Sequence, residues 1–190
     1  MARIGFDLDG VWYDFRRAHS RFEIGRGNTH CTLEAADPGW DYFEGWGMSL
    51  DEWLESYRQG VDSGVLLRFG EPLEDAVWSS RALAEAGHTI HIVTDRSVGT
   101  DPGISSRATA AWLADHGFVF HSLTFSRDKT VVPTDVFIED RLQNADALNA
   151  AGTRCYLINR TWNAPGNDAR LRVDSLREFV AEVERVEVSA

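Results

Sequence analysis

RIGFDLDG, residues 3–10, opens with a four-residue run in which Ile4 and Phe6 are the bulky members, too short for a helix and suited to a buried strand. Asp7, Leu8, Asp9 and Gly10 follow at once. The spacing of Asp7 and Asp9 lets one carboxylate point into a cleft while the other clears it as the chain turns at Gly10, a residue that turns without steric penalty. A carboxylate beside a buried strand is costly unless a cation neutralises it. The stretch therefore predicts the first strand of a sheet with a charged site at its carboxyl end.

Similar apolar runs recur as TIHIV (89–93), SLTF (122–125), VFI (136–138) and CYLI (155–158). Between and after them lie helical patterns. Leu73, Val77, Leu83 and Ala84 share a face that Gly87 closes. Ile104, Ala108, Ala111 and Trp112 share another, ending near Gly117. Leu142, Ala145 and Leu148 form a third, ending at Gly152, and Leu176, Phe179, Val180 and Val183 form the last. Strands alternating with helices predict an α/β, Rossmann-like three-layer α/β/α fold around a parallel sheet. Residues 14–71 break the rhythm, being too long for an ordinary connection. Within them Ser49–Glu52 reads as a capping box opening a helix with Leu50, Trp53, Leu54 and Tyr57 on one face. The expected division is a core of residues 1–13 and 72–190 and a small helical cap of residues 14–71, inserted after the first strand.

Ligands of open parallel sheets bind at the carboxyl ends of the strands. Four of those ends carry charge: Asp7-Leu8-Asp9, Thr94-Asp95-Arg96, Arg127-Asp128-Lys129 and Glu139-Asp140-Arg141. Asp7, Asp9 and Asp140 supply the hard oxygen ligands that Mg²⁺ prefers, with positions left for water and a phosphate. Thr94 and Lys129 would complete a phosphate site. Lys129 is the only lysine among 19 basic residues. A point charge on a flexible stem reaches into a crowded pocket that a planar guanidinium does not fit.

A net charge of −11 argues against a long nucleic acid or an anionic membrane surface as partner. No run approaches a membrane span, and the N-terminus has no signal-peptide pattern, so a cytoplasmic location is expected. Cys31 and Cys155 fit no zinc or redox spacing, and Cys155 reads as a buried reduced thiol. The six histidines, His19 among them, show no ligand or triad spacing and read as ordinary polar residues. The sequence leaves a homodimer open.

FDLDGV, the Thr94 ending, Lys129 and IEDR resemble, in order, the four motifs of the haloacid-dehalogenase-like phosphotransferase superfamily. Within it DGVWYDF, SRDKTVV and FIEDRLQNADAL resemble the 5'(3')-deoxyribonucleotidases. The resemblance implies a Mg²⁺-dependent phosphomonoesterase acting on (deoxy)ribonucleoside monophosphates. It implies Asp7 as nucleophile and Asp9 as general acid and base, with its backbone carbonyl offered to the metal. Asp140 becomes a metal ligand with Glu139 behind it, and Thr94 with the backbone amide of Asp95 holds phosphate. Phe15 matches the aromatic that packs on the base in those enzymes. Trp40, Tyr42, Phe43 and Trp46 serve either to stack a base or to build a core for the cap. Arg127 and Arg141 border the site as phosphate or nucleotide contacts, or as partners of the acids. The second motif departs from the usual Thr-Ser-Pro, and Arg96 is expected either to offset Asp95 or to reach the phosphate from outside. Other readings are a phosphatase for a sugar phosphate or a 3'-phosphate end, and a non-catalytic nucleotide-binding relic.

Overall fold

The computed structural model describes residues 1–164, 166 and 169–188, the last three by backbone alone. Its strands and helices run β1 (Arg3–Phe6), α1 (Phe15–Gly25), α2 (Leu50–Asp62), α3 (Ala76–Glu85), β2 (Thr89–Thr94), α4 (Pro102–His116), β3 (Ser122–Phe125), β4 (Val136–Glu139), α5 (Leu142–Ala150), β5 (Arg154–Ile158), β6 (Leu171–Val173) and α6 (Leu176–Val188). Every apolar run named above is a strand. β6 was not expected, because three residues with Arg172 in the middle carry too little pattern. Neighbouring strands pair in parallel in the order β3-β2-β1-β4-β5-β6. In this doubly wound order the direction of winding switches between β1 and β4.

The chain packs as two units. The first comprises Met1–Tyr13, Pro72–Asp95 and the chain from His116 onward. Side chains alternate across its sheet. Phe137, Cys155 and Leu157 join Val93 under Ala145 and Leu148 of α5. On the opposite face Phe6 and Tyr156 meet Phe179 of α6 edge-on, with ring centroids 5.5 and 5.7 Å apart, and α6 packs beside α3. This is the three-layer architecture. Gly5 is required in β1, since a Cβ there would lie 2.0 Å from the Phe137 ring. The chain leaves the unit at Tyr13 and re-enters beside it, where Tyr13 bridges Pro72 and Leu73 N–H donates to Trp12 O at 2.8 Å.

The second unit comprises Asp14–Glu71 and Arg96–Asp115. Its α1 escaped the sequence patterns because the buried side is Ala18, His19, Ser20 and Glu23, mostly polar. The capping box of α2 is present, with Ser49 N–H donating to Glu52 Oε2 at 2.8 Å. The buried face of α2 differs from the expected one. Ser56, Tyr57, Gly60 and Val61 face inward, while Leu50 and Leu54 are exposed. Small residues face inward because neighbours approach closely; a Cβ on Gly60 would lie 3.0 Å from Leu66 and 3.3 Å from Phe22. Tyr42, Phe43, Trp46 and Cys31 form the core of this unit, whereas Trp40 is exposed. Residues 96–115, expected with the sheet, pack here instead. Trp112 Nε1 donates to Gly70 O at 2.8 Å and Thr100 N–H to Asp62 Oδ1 at 2.7 Å. Among the described residues no helix is long and apolar enough to cross a membrane.

Candidate active site

Register alone brings the chemistry together. Phe6 pairs with Ile92 on one side and Ile138 on the other, so the next residues, Asp7, Val93 and Glu139, come level at the carboxyl ends. Lys129 enters from a 3₁₀ turn after β3, whose start is fixed by Asp128 Oδ1 accepting Thr130 N–H at 2.9 Å. Its Nζ donates to Asp7 Oδ1 at 2.7 Å and to Val93 O at 2.8 Å, with the residue only 3% exposed. The compact ammonium thus sits buried between a carboxylate and the carbonyl of an inner strand, a geometry that a planar five-donor guanidinium does not reproduce. Asp7 Oδ1 also accepts Leu8 N–H at 2.7 Å, so both hydrogen bonds to this carboxylate fall on one oxygen.

Asp7, Glu139 and Asp140 are buried and each offers an oxygen within 4.8 Å of the others. Burial, reinforced by the charge of neighbouring carboxylates, raises all three pKa values, Asp140 to about 7, while Lys129 pulls back on each. Burial also acts to lower the pKa of Lys129, but Asp7 and Glu139 outweigh it and leave the ammonium above its ordinary value. One cation thus faces three carboxylates. Glu139 Oε1 accepts Asn144 Nδ2 at 2.9 Å, yet Glu139 Oε2 has no hydrogen-bond partner. Three converging oxygen donors, an uncompensated charge and an orphaned carboxylate oxygen fit a hard divalent cation such as Mg²⁺. Thr94 Oγ1, buried at the end of β2, is likewise without a partner. Among the described residues the only other such atom is Thr134 Oγ1, just ahead of the amino end of β4.

The remaining candidates are less uniformly placed. Asp9 is half-buried and bridges to Tyr13, and its carboxylate is not one of the three that converge. Asp95 Oδ2 accepts Arg127 Nε at 3.3 Å, with Arg127 largely exposed. Arg127 thus pairs with Asp95, and Arg96 donates to Thr109 Oγ1 at 3.0 Å inside the second unit. Arg141 is exposed at the start of α5. Phe15 belongs to the second unit, edge-on to Tyr57 at 5.1 Å and packed against its aromatic core.

Sequence reasoning missed the end of β5. Asn159–Asn163, NRTWN, forms a turn in which Trp162 Nε1 donates to Asp140 Oδ2 at 2.9 Å and Asn163 Nδ2 to Asp140 O at 2.6 Å. Arg160 Nε donates to Gly10 O at 2.8 Å. The signal was available, since CYLI ends in this polar run just as the other strands end in theirs.

A family model described as "5' nucleotidase, deoxy (Pyrimidine), cytosolic type C protein" matches residues 1–186. A Chlorobaculum tepidum protein carrying the provisional name 5'(3')-deoxyribonucleotidase is 28% identical over 178 residues, 92% of this chain and 83% of that protein. The fold is shared with the D,D-heptose 1,7-bisphosphate phosphatase of Burkholderia thailandensis, with a TM-score of 0.57 and 14% identity over 97% of this chain and 99% of that one. An L-2-haloacid dehalogenase aligns with a TM-score of 0.58 and 13% identity, over 96% of this chain and 99% of that one.

Proposed function

Because this chain belongs to the 5' nucleotidase, deoxy (pyrimidine), cytosolic type C family, and is thereby a haloacid-dehalogenase-like phosphomonoester hydrolase, we propose that it dephosphorylates (deoxy)ribonucleoside monophosphates with Mg²⁺ through an aspartyl-phosphate. The observation that carries this reading is the buried Asp7–Lys129 pair beside Glu139 and Asp140, with one oxygen of Asp7 unencumbered.

Asp7 Oδ2 attacks phosphorus, since Oδ1 is engaged by Lys129 and Leu8. As the new P–O bond forms, the ester P–O bond breaks and the leaving alkoxide takes the proton of Asp9. Asp9, now a carboxylate, withdraws a proton from water. That water attacks phosphorus and displaces Asp7, releasing phosphate. Lys129 holds Asp7 in place and offsets charge on the transferring oxygens, while Thr94 Oγ1 gains a partner in a phosphate oxygen. Asp7, Asp140 and Glu139 would hold the cation, with the Asp9 carbonyl as a further donor. When bound, it neutralises the phosphoryl oxygens and the excess carboxylate charge.

The family supports a nucleotide as the small-molecule substrate, and the net charge of −11 disfavours a polyanion. Residues 14–71 serve as the cap, with Phe15 as its contact to the base. Phosphate release from a panel of nucleoside monophosphates, sugar phosphates and an aryl phosphate, with Mg²⁺ or EDTA, tests this. Hydrolysis of the nucleotides is expected, lost in EDTA, and Phe15→Ala should weaken nucleotide use more than aryl phosphate use. Undiminished turnover in EDTA, or indifference to the nucleoside, would overturn it.

A further inference from the structure

The carboxylate of Asp140 is fixed from a direction that the recognised motifs do not include. Its Oδ2 accepts the indole N–H of Trp162 at 2.9 Å. The same oxygen lies 2.0 Å from the position a Cβ would take on Gly10, whose φ of +77° is left-handed, and the Trp162 ring carbon Cζ2 lies 3.1 Å from that position. Oδ2 is therefore wedged between the indole and the Gly10 backbone.

The turn that delivers the indole is itself braced. Asn163 Nδ2 ties it to Asp140 O and, at 2.9 Å, to Ile158 O. Asn163 Oδ1 accepts Arg160 N–H at 2.9 Å, and Arg172 Nη1 donates to Asn163 O at 3.0 Å and to Asn159 Oδ1 at 2.8 Å. Arg160 Nε closes the loop by donating to Gly10 O at 2.8 Å. One short turn thus holds both the Asp140 carboxylate and the backbone that follows Asp9.

We propose that Trp162 is a positioning residue for the cation, occupying Asp140 Oδ2 through its N–H so that Asp140 presents Oδ1 alone as a ligand. The inference rests on the Mg²⁺-dependent reading given above. A carboxylate free to rotate must be ordered by each binding event, whereas one held by an outer hydrogen bond is ready for it. Loss of such a bond typically weakens metal affinity about 10–100-fold.

Titration calorimetry of Mg²⁺ into the whole protein reads this directly. Trp162→Phe removes the N–H, and Trp162→3-benzothienylalanine removes it while keeping the ring shape. Both variants should bind Mg²⁺ about 10–100-fold more weakly. Their metal-free melting temperatures should match that of the parent, and turnover should return at saturating Mg²⁺. If the benzothienyl variant binds Mg²⁺ as tightly as the parent, Trp162 only packs and the inference is wrong. The same holds if excess Mg²⁺ fails to restore turnover. If the parent itself gives no Mg²⁺ binding heat, the metal reading fails first and takes this one with it.

Discussion

Each unit buries a knot of polar side chains, and the two knots differ in how completely they are satisfied. In the second unit a chain of hydrogen bonds has only one self-consistent direction. Ser56 donates to the Glu23 carboxylate, so its oxygen must accept from His19 Nε2–H at 2.7 Å. His19 Nδ1 then accepts from Tyr42 O–H at 2.7 Å, whose oxygen accepts Trp53 Nε1–H at 3.0 Å. Arg26 and Asn28 complete Glu23. In the first unit the Asp7–Glu139–Asp140 knot has one ammonium for three carboxylates and leaves Glu139 Oε2 and Thr94 Oγ1 without partners. Buried polar groups are normally paired, and leaving one unpaired costs about 1–3 kcal/mol. A closed network has spent its donors and acceptors on the fold. An open one keeps them for something that arrives later.

Substitutions should separate the two knots by what they damage. Asp7→Asn replaces the nucleophile with an amide and should lower kcat/KM by about 10⁴-fold or more. The metal-free melting temperature should hold or rise, because a buried like charge has gone. A clear loss of stability with activity retained would reverse the assignment of this knot. Lys129→Arg keeps the charge but not the fit and should cost about 10²–10³ in turnover, equivalent to about 2.7–4 kcal/mol. Near-parental kinetics would mean that charge alone suffices at this position. Ser56→Ala should do the opposite: kcat/KM stays within about twofold while stability falls by about 1–3 kcal/mol, since Glu23 and His19 each lose a partner. Denaturant melts and steady-state kinetics on the same preparations decide all three.

The open knot was legible in the sequence because a parallel sheet delivers strand ends to one edge, so Asp7, Thr94, Lys129 and Asp140 could be read together from four short motifs. The closed one was not. His19 looked like an ordinary polar residue, and α1 hid because its buried side carries Ser20, Glu23 and His19 where a helical stripe should show apolar residues. Tertiary pairing, not periodicity, buries them. Trp162 and Asn163 were missed for a related reason: their importance lies in a contact to a residue more than twenty positions earlier, which no local pattern announces.

The smallest effect sets the two knots against each other in pH. Burial, opposed by Glu23 and aided by Arg26, lowers the His19 pKa from 6.5 to about 4. The unfolded chain therefore takes up this proton first as pH falls, and stability is lost between about 6.5 and 4 with a slope of at most ~1.4 kcal/mol per pH unit. Burial and the charge of Asp7 raise Asp140 to about 7. A carboxyl raised on folding contributes stability that is fully present below its unfolded value of 3.8, is lost progressively as pH rises to about 7, and changes no further above that. Between about pH 4 and 6.5 the two contributions therefore run in opposite directions, and the melting temperature in EDTA should change little there. Mg²⁺, which binds the ionised carboxylates, should remove the Asp140 decline and leave a melting temperature that rises with pH from about 4 to 6.5. His19→Gln in EDTA should leave only the decline toward pH 7. If Mg²⁺ left the EDTA profile unchanged, or if His19→Gln showed no decline in EDTA, the carboxylate knot would be satisfied without a cation and its contrast with the closed network would disappear.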